Sequence, residues 1–142
     1  MIVLDVNVLV AAFRQDHPQH AVAHPWLAAL LGGYDDVVVP DAVWTGFVRI
    51  VTLKGAFAQP SSLDETASFI QDVVGAPAYL TAAPLAESAT RLIALCQESQ
   101  ATGNLVPDAY IASVALGYAC PVATFDRDFR RFDGLRIVTP AA

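Results

Sequence analysis

The chain has 142 residues, of which 55% are hydrophobic, and its formal net charge is −6. This length predicts a single domain over residues 1–142, large enough to bury a sizeable core. The uncharged stretches fall short of the ~20 apolar residues that a membrane span requires, and the N-terminus lacks the basic segment of a signal peptide. We therefore expect a cytoplasmic protein that does not enter a membrane. The acidic charge also argues against a broad nucleic-acid-binding surface, which is usually basic.

Short apolar runs rich in β-branched residues alternate with helical patterns along the chain. The runs that predict strands are 2–6, 37–39, 120–124 and 136–138. Their continuous apolar character is typical of a parallel sheet that is buried on both faces. The spacing of apolar residues and the capping signals predict helices around 23–31, 42–53, 62–75, 85–96 and 107–118. This alternation predicts an α/β domain in which helices flank a short central parallel sheet.

Carboxylates from three distant parts of the chain are expected at one edge of this sheet. Asp5 lies near the end of the first strand, and Asp126 and Asp128 follow the strand at 120–124. Asp108 lies in the first turn of a predicted helix. Ligands of open α/β sheets bind beyond the carboxyl ends of the strands. We therefore expect these four side chains to converge on one site.

Each acidic residue also has a structural explanation of its own. A charged carboxylate inside an apolar strand, as at Asp5, costs several kcal/mol unless it has a partner. Asp108 alone would be explained by the helix dipole, which favours a negative charge in the first turn. Asp126 and Asp128 alone would suit a turn. Asn7 either orients Asp5 or caps the helix that follows. The functional interpretation therefore rests on the combination of these residues.

The residue types of this set predict a divalent metal ion. Like charges this close to one another require a neutralising partner, and a ligand set made of oxygen atoms alone suits Mg²⁺ or Mn²⁺. A water molecule on such an ion can attack a phosphodiester. His17, His20 and His24 do not follow the zinc templates, and we expect them to be solvated helix residues.

Several segments, taken in chain order, resemble a known family. VLDVNVLVAAF contains an Asp-x-Asn motif in its opening strand, and GNLVPDAYIASVAL carries a further acidic residue. ATFDRDFRRFDGLRIVTP contains a Thr-x-Asp-x-Asp-Phe signature, and HPQHAVAHPWL and GFVRIVTLKGAF match the segments between. Over almost its whole length the chain resembles the PIN-domain ribonucleases, and within them the VapC-type toxins of toxin–antitoxin pairs.

This resemblance implies a metal site and a reaction. Asp5, Asp108 and Asp126 would bind Mg²⁺ or Mn²⁺, and Asp128 would help to hold the metal directly or through water. The implied reaction is metal-dependent endonucleolytic cleavage of cellular RNA, which would inhibit translation and growth. The family also implies a homodimer and a cognate antitoxin protein whose tail occupies the active-site groove.

Two sets of supporting side chains accompany these carboxylates. By the resemblance, Asn7 and Thr124 would orient the acidic residues. The charge pattern around the last acidic pair suggests that Arg127, Arg130 or Arg131 meets RNA phosphate, although a solvated surface face explains these arginines equally well.

The chain departs from the family pattern at two positions. The residue between Asp5 and the following asparagine is Val6, where many members have threonine. The middle helix commonly carries a glutamate, and the corresponding position here is Gly46, with no glutamate anywhere from 42 to 64. Asp41 is a candidate replacement, but it is better explained as a helix N-cap. With one carboxylate fewer, the site is expected to hold metal more weakly or to hold a single ion.

Two other classes of function are compatible with parts of the sequence. A phosphatase of the HAD type would use Asp5 as a nucleophile, but Asn7 cannot act as its acid and Lys54 is the only lysine. The second alternative is a non-catalytic PIN-fold module that binds RNA or a protein. In this alternative the fold is kept and catalysis is lost, and the absent glutamate and the acidic net charge favour it.

Overall fold

The computed structural model describes every residue from Met1 to Ala142. Its strands form one parallel sheet in the order β2-β1-β3-β4. Their bounds are β1 Ile2–Leu4, β2 Val37–Val38, β3 Val122–Ala123 and β4 Ile137–Val138. Val3 and Leu4 point to opposite faces of the sheet, and both are fully buried. The predicted α/β fold with a short parallel sheet, covered on both faces, is therefore confirmed.

Six helices surround this sheet. Their bounds are α1 Val6–Phe13, α2 His20–Leu31, α3 Asp41–Thr52, α4 Leu63–Val74, α5 Ser88–Ser99 and α6 Val106–Gly117. Two short 3₁₀ turns lie at Gly103–Leu105 and Arg127–Arg131. α1 contacts α2 and α3, whereas α6 contacts β1, β3 and α5. None of these helices has the length and apolar character needed to span a membrane.

The capping signals in the sequence predicted three helix ends, namely both ends of α4 and the start of α6. α4 begins with a capping box in which the Ser62 side chain and the Glu65 side chain each accept a backbone N–H, and it ends at Gly75. In α6, Pro107 lies in the first turn, where its missing N–H costs nothing. Asp108 follows it in the same turn, as predicted.

Several element boundaries differ from the predictions, and two of these differences have a visible local cause. The first strand ends at Leu4 rather than at residue 6, because the Asp5 side chain accepts the N–H of Val6 and caps α1. α5 begins at Ser88 rather than at residue 85, since Glu87 adopts a left-handed conformation immediately before it. Leu85 instead packs against Gly117 of α6, where no side chain obstructs it.

Candidate active site

Asp5 and Thr124 lie at the carboxyl ends of β1 and β3, the two central strands of the sheet. β2 adjoins the other side of β1, so the chain order reverses between β1 and β3. Such a switch point opens a crevice beyond the strand ends, which is where open α/β sheets bind ligands. The backbone N–H of Asp5 donates to the carbonyl of Ala123 at 3.0 Å and joins the ends of β1 and β3 at the base of this crevice.

The Asp5 carboxylate is held by hydrogen bonds at both of its oxygens. Oδ1 accepts the backbone N–H of Val6 at 2.6 Å, and Oδ2 accepts the Thr124 hydroxyl at 2.6 Å. Asp5 is 4% exposed. It is therefore a fixed, buried carboxylate that helps to start α1 while remaining at the base of the crevice.

Thr124 is the centre of the polar network in this crevice. Its hydroxyl donates to Asp5 and accepts both the Asn7 side-chain amide, at 3.0 Å, and the backbone N–H of Asp126, at 2.9 Å. A hydroxyl offers one donor and two acceptor lone pairs, so every hydrogen-bonding position of this fully buried side chain is used. One side chain thus fixes the relative positions of Asp5 and Asp126.

Asn7 does not take the place in a strand that would align it with Asp5, and it does not cap the helix either. It lies in the first turn of α1, after the cap formed by Asp5. Its amide nitrogen donates to Thr124, and its oxygen accepts the backbone N–H of Phe125 at 3.2 Å. Asn7 therefore connects α1 to the segment that carries Asp126.

Asp126 and Asp128 occupy the start of a 3₁₀ turn. Asp126 Oδ1 accepts the backbone N–H of Asp128 at 2.8 Å and caps this turn. Asp126 is half-buried and lines the crevice with Asp5, whereas Asp128 is exposed. Asp128 still acts on the site electrostatically, because its charge raises the pKa of Asp108.

Asp108 approaches the crevice from the N-terminus of α6. It is half-buried and lines the same depressions as Asp5. Its pKa is raised to about 6, first by burial and then by the charges of Asp5, Asp126 and Asp128, while Arg131 acts in the opposite direction. Asp108 is thus electrostatically coupled to all three of the other predicted site carboxylates.

The Asp5 carboxylate is also repelled by a neighbouring charge, that of Asp126. Its pKa is raised to about 6, mainly by burial and also by the Asp126 charge, while the hydrogen bonds from Thr124 and Val6 act in the opposite direction. The structure therefore brings Asp5, Asp108 and Asp126 to one crevice, whereas Asp128 is exposed and acts on Asp108 through its charge. A nearby cation would favour the charged form of each of them.

These carboxylates do not form a closed cage for an ion. No group of three or more His, Cys, Asp and Glu side chains is arranged to hold a metal ion. Mg²⁺ does not need such a cage, because it commonly keeps several waters and binds through one or two carboxylates together with substrate phosphates. The all-oxygen donors and their unrelieved repulsion therefore fit an ion of this type.

Three residues that the sequence analysis did not single out for this site also face the crevice. His17 and Phe57 line one depression together with Asp5, Asp108 and Asp126. Arg49, an exposed residue of α3, lines an adjoining depression with Asp5 and Asp108. No local motif marks these residues, although the GFVRI segment used for the resemblance contains Arg49.

Gly46 also lines the crevice, as expected for the position that carries glutamate in many members of the family. A Cβ placed on Gly46 would lie 3.0 Å from Cγ2 of Val6, which is tighter than normal contact. Asp41 does not replace the missing carboxylate, since it lines a separate depression with Val38 and Tyr79. Nor is it the predicted N-cap, because Pro40 occupies that position and Asp41 is the first helical residue.

The predicted phosphate-contacting arginines differ in their positions. Arg127, Arg130 and Arg131 all lie in the 3₁₀ turn and are exposed. Only Arg131 exerts a charge effect on a site carboxylate, namely Asp108. None of the three lines the depressions that contain Asp5.

The prediction that the three histidines are solvated is wrong for His17 and His20. His17 and His20 are half-buried, while His24 is exposed. Nδ1 of His20 and of His24 lies within hydrogen-bonding distance of the carbonyls of Ala11 and Ala12, at 2.9 and 3.1 Å. These two rings therefore join α2 to the end of α1.

Comparison with known proteins places this chain in a family. The sequence model of the PIN domain matches residues 2–135. Ribonuclease VapC31 of Mycobacterium tuberculosis is 41% identical over 140 residues, which cover 99% of each chain. Ribonuclease VapC25 of the same organism is 39% identical over 140 residues, again covering 99% of each chain.

A solved structure shows the same fold. VapBC2 from Rickettsia felis, bound to a DNA fragment from their promoter, contains a chain that matches this one with a TM-score of 0.70. The match covers 99% of both chains at 19% sequence identity. The fold and the full-length identity to the mycobacterial proteins agree with the resemblance that the motifs indicated. The chain therefore belongs to the PIN-domain family, and within it to the VapC ribonucleases.

Proposed function

We propose that this protein is the ribonuclease toxin of a toxin–antitoxin pair and that its cleavage of cellular RNA depends on Mg²⁺ or Mn²⁺. The observation that carries the metal requirement is the meeting of Asp5, Asp108 and Asp126 at the switch point of the sheet. Besides burial, the Asp126 charge raises the pKa of Asp5, and the charges of Asp5 and Asp126 raise the pKa of Asp108. No cationic side chain forms a salt bridge with any of the three. A divalent cation together with an RNA phosphate would complete this site.

The carboxylates have different tasks in this proposal. Asp5, Asp108 and Asp126 would hold the ion, with Asp128 assisting directly or through water. When bound, the ion would activate water as a nucleophile and neutralise charge on the scissile phosphate. Thr124 and Asn7 position Asp5 and the Asp126 segment before substrate arrives, so little reorganisation is required.

Basic residues on two sides of the crevice would bind the RNA backbone. Arg49 lines the depression beside Asp5 and Asp108, and Arg131 is close enough to Asp108 to lower its pKa. Arginine suits phosphate because its planar group donates two parallel hydrogen bonds. We assign the main phosphate contacts to Arg49 and Arg131, with Arg127 and Arg130 contributing at the periphery.

Three further properties belong to this proposal through the family resemblance. The protein acts in the cytoplasm, it forms a homodimer, and a cognate antitoxin inhibits it by inserting a segment into the active-site groove. Light scattering of the protein alone and with the antitoxin would measure both associations. A monomer at micromolar concentration would contradict the homodimer.

Cleavage of total RNA by purified, antitoxin-free protein tests the central proposal. The reactions contain Mg²⁺, Mn²⁺ or EDTA, and the variants are Asp5→Asn and, as a matched control, Asp72→Asn on the exposed face of α4. We expect discrete fragments that require metal, disappear with Asp5→Asn and persist with Asp72→Asn.

The non-catalytic alternative gives a different result in the same experiment. Protein that binds Mn²⁺ in a calorimetric titration but cleaves no RNA would contradict the ribonuclease proposal. The absence of a carboxylate at Gly46 would then be the leading explanation, because that residue lines the crevice without contributing a ligand.

A further inference from the structure

His17 and Phe57 form a wall of the crevice that the carboxylate chemistry does not use. Together with Asp5, Asp108 and Asp126 they line a depression of about 480 Å³. Pockets for small ligands typically have volumes of about 300–1,000 Å³. This space therefore has room for more than a metal ion and a phosphate group.

The Phe57 ring is held in place from one side by a cation. The Arg14 guanidinium lies over it, 4.3 Å from the ring centroid. Arg14 is itself fixed by two hydrogen bonds to the Asp16 carboxylate, at 2.9 and 2.7 Å, and by one to the Ser61 hydroxyl, at 2.7 Å. Phe57 is half-buried and lines the depression, so an aromatic side chain with a fixed neighbour borders the same space as the carboxylates.

The His17 ring has a defined donor and acceptor. The backbone N–H of Gln19 donates to Nδ1 at 3.1 Å, so Nδ1 is an acceptor and the proton of the neutral ring lies on Nε2. Burial lowers the pKa of His17, and the nearby Asp16 opposes this effect while His20 reinforces it. The ring is therefore neutral at pH 7, with an Nε2–H group available to a bound molecule.

We propose that this wall is a nucleobase subsite, in which an unpaired base next to the scissile phosphate stacks on Phe57 and accepts a hydrogen bond from His17 Nε2–H. This inference rests on the proposed cleavage of RNA and assigns part of its substrate recognition. Phe57 supplies sequence-tolerant affinity, because every base has a π-face. His17 favours bases that present an acceptor at that position.

An unpaired base fits this surface better than a duplex does. Stacking on a side chain requires a base that has left its own stack, which is how proteins recognise loops and single strands of RNA. The carboxylates adjoin the aromatic wall in the same depression, so a base bound there belongs to a nucleotide close to the attacked phosphate. The subsite thus links recognition of a loop to the position of the cut.

A cycle of protein and RNA variants tests the stacking contact. The substrate is a short RNA that contains the cleavage site mapped with the wild-type protein, either intact or with an abasic nucleotide at each position flanking the cut. Phe57→Leu removes the ring but keeps an apolar side chain, and Phe57→Trp keeps a stacking surface. We expect Phe57→Leu to lower kcat/KM on the intact RNA about tenfold and Phe57→Trp to lower it much less.

The abasic substrate separates stacking from a general structural effect. At the position that occupies the subsite, the wild type and Phe57→Leu should cleave the abasic RNA equally, because neither retains the contact. A tenfold difference that persists on every abasic RNA would overturn the proposal, since it would show that Phe57 acts only on the protein. Tyr34→Leu removes a fully exposed ring at the opposite edge of the sheet and should leave all rates unchanged.

A fluorescence measurement reads the same contact without cleavage. Asp5→Asn protein is mixed with RNA that carries 2-aminopurine at the subsite position, whose emission is quenched by stacking. We expect quenching that Phe57→Leu abolishes and Phe57→Trp retains. Equal quenching by Phe57→Leu would contradict the proposal.

The role of His17 has its own variants. His17→Gln keeps an N–H donor near the Nε2 position, whereas His17→Leu does not. We expect His17→Leu to alter the preference among the four bases at the subsite, and His17→Gln to preserve it. Unchanged preference in His17→Leu would remove this residue from the proposal. Absence of metal-dependent cleavage by the wild type itself would instead contradict the proposed function, so the two failures are distinguishable.

Discussion

Gly46 of α3 lies directly against Val6 at the start of α1. A Cβ on Gly46 would stand 3.0 Å from Val6 Cγ2, so the two positions at which this chain departs from the family pattern are in contact with each other. The branched side chain at Val6 occupies space beside the backbone of Gly46. Val6 and Gly46 therefore pack against each other where both line the crevice.

This contact predicts that the effect of Gly46→Ala depends on Val6. Alanine is favoured over glycine in a helix by about 1 kcal/mol, but here its methyl group must displace Val6. We expect Gly46→Ala to stabilise the protein less than that in the wild type, or to destabilise it, and to give the full gain in a Val6→Ala background. Urea denaturation of the four proteins measures the coupling, which for contacting residues is about 0.5–3 kcal/mol. Additive effects would show that Val6 moves aside freely.

Thr124 gives a second prediction, about the polar network. Thr124→Val keeps the shape of this fully buried side chain but removes one donated and two accepted hydrogen bonds. The partners left without hydrogen bonds should lower the free energy of unfolding by about 2–4 kcal/mol. RNA cleavage should fall at least tenfold, because Asp5 and Asp126 lose their common support.

Thr124→Ser is the matched control for this change. It retains the hydroxyl and loses only a methyl group, so most of the activity should remain. Equal activity of the valine and serine variants would show that the hydroxyl does not position the carboxylates.

The raised pKa of Asp5 predicts that the metal-free protein becomes more stable as the pH falls towards 5. This pKa is about 6 in the folded state against 3.8 for an ordinary aspartate. Between these values the folded protein holds a proton that the unfolded chain has released, so stability rises as the pH falls through 6. From pH 7.5 to pH 5 this group should add about 1 kcal/mol to the free energy of unfolding.

Denaturation in EDTA at the two pH values measures this effect, with Asp5→Asn as the reference. The wild type should gain stability relative to the variant as the pH falls, because only the wild type has a carboxylate there to protonate. The gain should disappear with saturating Mg²⁺ if the ion binds at Asp5. A pH-independent difference would indicate an ordinary pKa for this carboxylate.

We expect Arg49 to make a salt-dependent contribution to the affinity for RNA. It is exposed and lines the crevice beside Asp5 and Asp108, so Arg49→Ala should raise KM more than it lowers kcat. Loss of one phosphate contact should also reduce the slope of log affinity against log salt by about 0.7 for single-stranded RNA. Arg91→Ala, an exposed change on α5, is the control and should leave the slope unaltered.

Local patterns in the sequence predicted much of the fold and the acidic part of the site. The four apolar runs, the Ser62–Glu65 capping box and Pro107 depend on neighbours within a few residues, so their consequences are visible without the tertiary structure. The edge at which Asp5 and Asp126 meet follows from the general geometry of parallel sheets.

Other features were decided only by contacts between residues far apart in the chain. Leu85, which lies outside α5, packs against Gly117, and Gly46 accepts no side chain easily because Val6 lies against it. The Thr124 hydroxyl joins Asp5 across 119 positions of sequence. Such contacts arise when helices and strands pack, and no local periodicity encodes them.

The crevice illustrates this division most clearly. The three acidic residues that line it, and Asp128 beside it, were identifiable because carboxylates at strand ends and helix starts are conspicuous in an apolar sequence. His17, Arg49 and Phe57 were not identified as site residues, since a lone histidine, arginine or phenylalanine in a loop or helix has many ordinary roles. Only the folding of the 14–19 segment, α3 and the 53–62 segment around the sheet brings these three side chains to the carboxylates.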